Sequence, residues 1–164
     1  MIFVTVGMSK YQFNRLLEEI DRLVGSNKIK EKVIAQIGNS TYKPKNYEYF
    51  TFKPLDKILE LNKNANIVIS HAGAGCIMTA LQYNKSLIIV PRLKKYNEHT
   101  NDHQIEIAKE LERQRKVIAV YDPKNLKFAI KKIKKFKTKR EDKEEPTIIR
   151  ILDTYLKQIK SKGR

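Results

Sequence analysis

"VISHAGAGCIMTAL", residues 68 to 81, begins as an apolar run, passes through a histidine and two glycines, and closes in a second apolar stretch. The first part fits a buried strand, and Ile77, Met78 and Leu81 recur at helical spacing. A strand thus turns directly into a helix, with almost no side chain at the turn. A glycine-rich turn that opens a helix directs unpaired N–H groups and the positive end of the helix dipole at one point, a good seat for a phosphate. Tight helix–sheet packing without a ligand would use the same glycines, so spacing alone leaves both readings open.

Outward from that turn the same pattern repeats. Apolar runs that fit buried strands occur at Ile2 to Val6, Lys32 to Ile37, Tyr49 to Phe52, Asn66 to Ile69, Leu87 to Val90 and Val117 to Val120. Helical stripes lie between most of them. Phe13, Leu16, Leu17, Ile20, Leu23 and Val24 form the longest; Leu55, Ile58 and Leu59 form another. Ile105, Ala108 and Leu111 make a further stripe, as do Leu126, Ala129, Ile130 and Ile133. Strands alternating with helices predict an α/β domain with a mostly parallel, Rossmann-like sheet flanked by helices.

One such domain is expected over residues 1–137. Residues 138–146, "TKREDKEEP", read as an exposed charged connector. Residues 147–164 read as a last amphipathic helix and tail, with Ile148, Ile151, Leu152, Tyr155, Leu156 and Ile159 on one stripe. No apolar run reaches the roughly 18 residues of a membrane span, and Met1 leads straight into "IFVTV" without a basic leader, so a cytoplasmic location is expected. The single cysteine, Cys76, excludes an internal disulfide and a multi-cysteine zinc site.

Thirty-four Lys and Arg against 18 Asp and Glu give a net charge of +16, which calls for an anionic partner. Lys124 to Arg140 holds nine cations and no acid. This stretch reads either as a solvated helix face or as an adhesive for an anionic membrane surface. Nucleic acid is disfavoured as a partner, since no basic-aromatic recognition motif accompanies the charge.

In open parallel sheets ligands bind beyond the carboxyl ends of the strands. Gly7, Gly38, Gly73 and Gly75 all fall in predicted loops at that rim. A second polar block, "PRLKKYNEHTNDHQ", Pro91 to Gln104, belongs to the same edge. His99 and His103 are four apart, but the glutamate usual between such a pair is missing and Asn101-Asp102 has the character of a helix start, so no metal is assigned. Asp102 and Gln104 suit the hydroxyls of a sugar. "GAG" is not the six-residue dinucleotide fingerprint, so no nicotinamide is assigned either, and no cofactor is expected.

"MIFVTVG", "QIG", "ISHAGAG" and "PRLKKYNEHTNDHQ", in this order, resemble the donor-binding subunits of two-part family 28 glycosyltransferases. These include the bacterial capsular and exopolysaccharide subunits and the small subunit that extends dolichol-linked N-acetylglucosamine. All are similar to the C-terminal half of the murein N-acetylglucosaminyltransferase, a GT-B enzyme. The resemblance covers roughly residues 1 to 122 and implies a UDP-sugar donor, inverting and metal-independent transfer, and a membrane-anchored partner subunit that binds a lipid-linked acceptor. It places the chain peripherally at the inner face of the cell membrane, inactive or nearly so alone. A non-catalytic accessory or nucleotide-sugar-sensing subunit is the alternative.

By position, the resemblance puts Gly7 and Gly38 at the donor cleft and His71, Gly73, Ala74, Gly75 and Cys76 at the diphosphate turn. Arg92 would compensate phosphate charge, with Lys94 beside it. Asp102, His103 and Gln104 would line the sugar and diphosphate, and Glu98 and His99 would carry the catalytic contribution. Three positions depart from the pattern: Cys76 stands where relatives often have Ser or Thr, Met8 where threonine is frequent, and Thr79 where the murein enzyme offers a glutamate to the ribose. Main-chain donors are therefore expected to carry phosphate recognition.

Overall fold

A computed structural model describes residues 1–136; the expected connector and final helix lie outside the described residues. Six strands form one parallel sheet: β1 (Ile2–Thr5), β2 (Val33–Gln36), β3 (Glu48–Phe50), β4 (Ile67–His71), β5 (Ser86–Val90) and β6 (Ile118–Ala119), in the order β3-β2-β1-β4-β5-β6. Every one overlaps a run read from the sequence; the central strands β1, β4 and β5 are legible because strands buried on both faces need continuous apolar stretches. The helices are α1 (Asn14–Gly25), α2 (Leu55–Asn64), α3 (Ala74–Gln82), α4 (His103–Arg113) and α5 (Leu126–Ile133).

Side-chain alternation along β1 divides the core into two layers. Ile2, Val4 and Val6 pack with Leu16, Leu17 and Ile20 of α1 and with Leu126, Ile130 and Ile133 of α5. Phe3 faces the other way, with Val68 and Ile89, onto Ile77 and Ala80 of α3 and Ile107, Ala108 and Leu111 of α4. The edge strand β3 is short and largely exposed and carries Glu48, features that discourage edge-to-edge pairing.

Two helical stripes shift relative to the sequence reading. In α3 the buried residues are Ile77 and Ala80, while Met78 is exposed. In α4 they are Gln104, Ile107, Ala108 and Leu111, and Ile105 is only half-buried. A buried glutamine and an alanine hid the true faces from an apolar count. Leu55, at the head of α2, is also exposed.

The strand order reverses direction between β1 and β4: the chain moves outward from β1 to β2 and β3, then returns to lay β4 against the other side of β1. This is the topological switch point of a doubly wound sheet, where the loops leaving adjacent strands diverge and open a crevice.

Candidate functional site

The loops that follow β1 and β4 flank the crevice, and His71, the last residue of β4, fills its floor. His71 is 9% exposed. A Cβ on Gly73 would come within 2.1 Å of its Nε2, and one on Gly7 within 2.5 Å of its Cε1. Gly7 also holds φ at +71°, and its amide donates to Thr5 Oγ1 at 3.1 Å. Thr5 in turn donates to Gln36 Oε1 at 2.7 Å, and Ser70 Oγ lies 3.4 Å from His71 Nδ1. Burial, reinforced by the positive charge of Arg92, pulls the His71 pKa down to about 3, so the ring is neutral at physiological pH.

Gly73 and Gly7 thus serve close approach to a ring, and Gly38 serves contact between loops, its missing Cβ lying 2.9 Å from Gly7 O. Gly75 differs: nothing lies within 4 Å of where its Cβ would be. It stands in the first turn of α3. The N-cap there is Gly73, in an extended conformation, and no side chain caps the helix. A serine or aspartate at that position would consume one of the first-turn amides. Here the amides of Ala74, Gly75 and Cys76 carry no side-chain cap and Gly75 opens onto free space, an arrangement suited to anions. The Cys76 thiol bonds to Ser70 and Thr5, and burial pushes its pKa up, so it is a neutral inward-facing group. Thr79 donates its hydroxyl to Gly75 O at 2.9 Å, within its own helix.

The Pro91 to Gln104 block behaves otherwise, and its Arg92 and Glu98 are both buried. Arg92, expected to compensate phosphate charge, has no exposure at all. Its Nη1 donates to the carbonyls of Tyr11 (3.1 Å), Gln12 (2.8 Å) and Glu98 (3.1 Å), and its Nη2 to that of Val6 (2.6 Å). Its guanidinium stacks 4.7 Å from the Phe13 ring centroid, and Nε finds no partner. Burial lowers its pKa to about 10 while Glu98 opposes the fall, so it stays charged. Glu98, expected to contribute to catalysis, is likewise engaged within the protein. Its side chain is 1% exposed, and it accepts from Arg15 Nε at 2.7 Å and from the Leu93 amide at 2.9 Å. Arg15 extends the staple to Pro91 O at 2.6 Å.

Gln104 accepts from the Arg92 amide at 3.0 Å, which identifies its oxygen and leaves the amide nitrogen as its donor. His99 is half-buried and accepts from the Asn101 amide at Nδ1, 3.3 Å, so the neutral ring carries its proton on Nε2. Tyr11, which sequence reasoning passed over, holds its ring centroid 6.4 Å from that of His99. Asp102 accepts from the Lys94 amide at 2.8 Å and precedes α4, and His103 Nδ1 lies 3.8 Å from Glu106. Among the described residues no three His, Cys, Asp or Glu gather as a metal site. A cleft of about 780 Å³ lies on the flank of α1, between Gln12, Arg15, Leu93, Tyr96 and Tyr121; none of residues 71–76 lines it.

This combination, a parallel sheet with a switch-point crevice and an uncapped helix head beside it, defines a Rossmann-like domain. Residues 1–157 match the family described as "Glycosyltransferase family 28 C-terminal domain", and the chain belongs to that family. It is similar to the human UDP-N-acetylglucosamine transferase subunit ALG13, 34% identical over 122 residues, which is 69% of this chain and 10% of that protein. The subunit of the same name from Yarrowia lipolytica is 34% identical over 109 residues, 62% of this chain and 52% of that one. The chain therefore spans a tenth of the human relative and about half of the yeast one. Among solved structures, the glycotransferase of kitacinnamycin aligns with a TM-score of 0.61 at 16% identity, covering 99% of this chain and 39% of that one. MurG from Acinetobacter baumannii aligns with 0.57 at 16%, covering 80% and 40%. The fold is that of one Rossmann-like half of a GT-B glycosyltransferase.

Proposed function

We propose that this chain is the UDP-sugar-binding subunit of a two-part glycosyltransferase, completed by a separate membrane-anchored subunit that holds a lipid-linked acceptor. The observation that carries the reading is the head of α3: three first-turn amides without a side-chain cap, open space at Gly75, and a position at the switch point. A diphosphate laid across it would meet main-chain donors and the helix dipole. His99 would direct Nε2–H, and Gln104 its amide nitrogen, toward the sugar and diphosphate.

In inverting transfer the acceptor hydroxyl attacks the anomeric carbon on the face opposite UDP. The carbon–oxygen bond to UDP breaks, and negative charge builds on the departing diphosphate, where the helix head stabilises it. The hydroxyl proton passes to a base on the partner subunit, because Glu98 is held by Arg15 and Leu93. The chain alone therefore binds donor without turning it over.

The relatives' names make UDP-N-acetylglucosamine the first donor for a calorimetric titration against a panel of UDP-sugars. Gly75→Val should weaken the best donor roughly a hundredfold by occupying phosphate space, with the melting temperature little changed. Unaltered affinity would remove the turn from the site. An accessory subunit would bind UDP too, but His99→Ala would then leave turnover intact in the reconstituted pair.

A further inference from the structure

Lysines of α5 and of the 28–31 loop, which donor binding does not use, gather on one surface. α5 buries Leu126, Ala129, Ile130 and Ile133 and turns Phe128 outward, 64% exposed. Lys131 and Lys132, three and four residues on, share its face. Beside this face lies a groove of about 200 Å³, whose walls include Lys28, Lys30, Lys127, Lys131 and Lys134. Its single acid, Glu31, is paired with Lys134. Lys28, Lys30, Lys127 and Lys131 have no ion pair among the described residues.

We propose that this face of α5, with the 28–31 loop, docks the chain directly onto an anionic phospholipid bilayer. An apolar ring surrounded by lysines matches an interface in which the ring sinks to the acyl boundary while the ammonium groups remain among the headgroups. Residues 127–136 hold five lysines and no arginine or acid. A surface made to clasp nucleic-acid phosphates would favour the bidentate guanidinium. The groove lies at the amino edge of the sheet, where residues 28–31 lead into β2, whereas the crevice opens at the carboxyl edge. Bilayer contact therefore goes beyond donor binding, and the two stand or fall separately.

The test is co-sedimentation of the full chain with vesicles of phosphatidylcholine alone and of phosphatidylcholine mixed with phosphatidylglycerol, with a UDP-sugar titration as the control. Binding is expected only with phosphatidylglycerol. Lys131→Gln with Lys132→Gln should weaken it roughly 25-fold, about fivefold per lysine. Phe128→Ser, which leaves the charge unchanged, should weaken it several-fold. Both variants should keep the wild-type response to the nucleotide. Equal sedimentation with the two vesicle types, or wild-type binding by the lysine pair, would overturn the proposal. So would an unaffected Phe128→Ser protein that duplex DNA strips from the vesicles, which would mark a general polyanion surface.

Discussion

The Ser70 to Cys76 turn and the Pro91 to Gln104 block share one edge of the sheet and use their side chains in contrasting ways. At the turn, His71 and Cys76 point inward and the main chain faces the crevice. In the block, Arg92 and Glu98 are drawn under the surface, where they hold the main chain of other loops: Val6, Tyr11 and Gln12 after β1, and Leu93 beside them. One region presents backbone to a ligand; the other keeps the rim in the shape that makes this presentation possible. A charged residue in a polar block at the rim is thus as well suited to framing as to binding.

The sharpest way to break that contrast is Arg92→Ala. Four carbonyls and the Glu98 carboxylate would lose their common buried cation, and a loss of ~3–5 kcal/mol in urea unfolding is expected. Arg92→Lys keeps the charge but not the fork, so it should fall between the two. If the alanine protein unfolds at the wild-type midpoint while losing UDP affinity, Arg92 is a ligand and the division of labour is wrong.

Acid should expose the turn next. His71 takes up a proton readily once unfolded, near pH 6.5, but in the folded protein only near pH 3. Between those values the unfolded chain binds the extra proton, so stability falls as pH falls. The limit is ~1.4 kcal/mol per pH unit, or about 3 kcal/mol by pH 4. His71→Asn should flatten this slope in melts run from pH 7 to about 5; below that the unfolded carboxylates take up protons too, and groups such as Asp21, buried but with its pKa lowered by bonds from Tyr42, Lys45 and Asn46, add a slope of the same sign. An unchanged slope would mean that the ring is already charged, or wet, in the folded state.

Most of the architecture was legible because buried parallel strands are continuous apolar words and α1 and α5 repeat apolar residues at helical spacing. The start of α4 was legible too, with Asp102 standing immediately before it. What resisted reading was polar burial. Arg92 finds three of its acceptors 80 to 86 residues away, and nothing in its neighbourhood distinguishes it from Lys94 or Lys95, which are exposed. Arg15 and Tyr11 were invisible for the same reason: their importance comes from Glu98 and His99, across the fold. The glycines were recognised as a group, but their separate purposes depend on which side chain each one faces.

That separation among glycines yields the smallest and most selective prediction. Gly73 has φ at −91°, a conformation open to any residue, so Gly73→Ala meets no backbone strain and only the imbalance of a Cβ 2.1 Å from His71 Nε2. The ring must move, at a cost of ~1–3 kcal/mol, and His71→Ala in the same chain should recover most of it. Gly75→Ala, two residues on, enters open space within a helix and should stabilise the fold by up to ~1 kcal/mol. Opposite signs at two glycines of one "GAG" would show that the first is kept for the histidine beneath it and the second for whatever occupies the crevice. Equal signs, measured as melting shifts, would return both to ordinary helix–sheet packing.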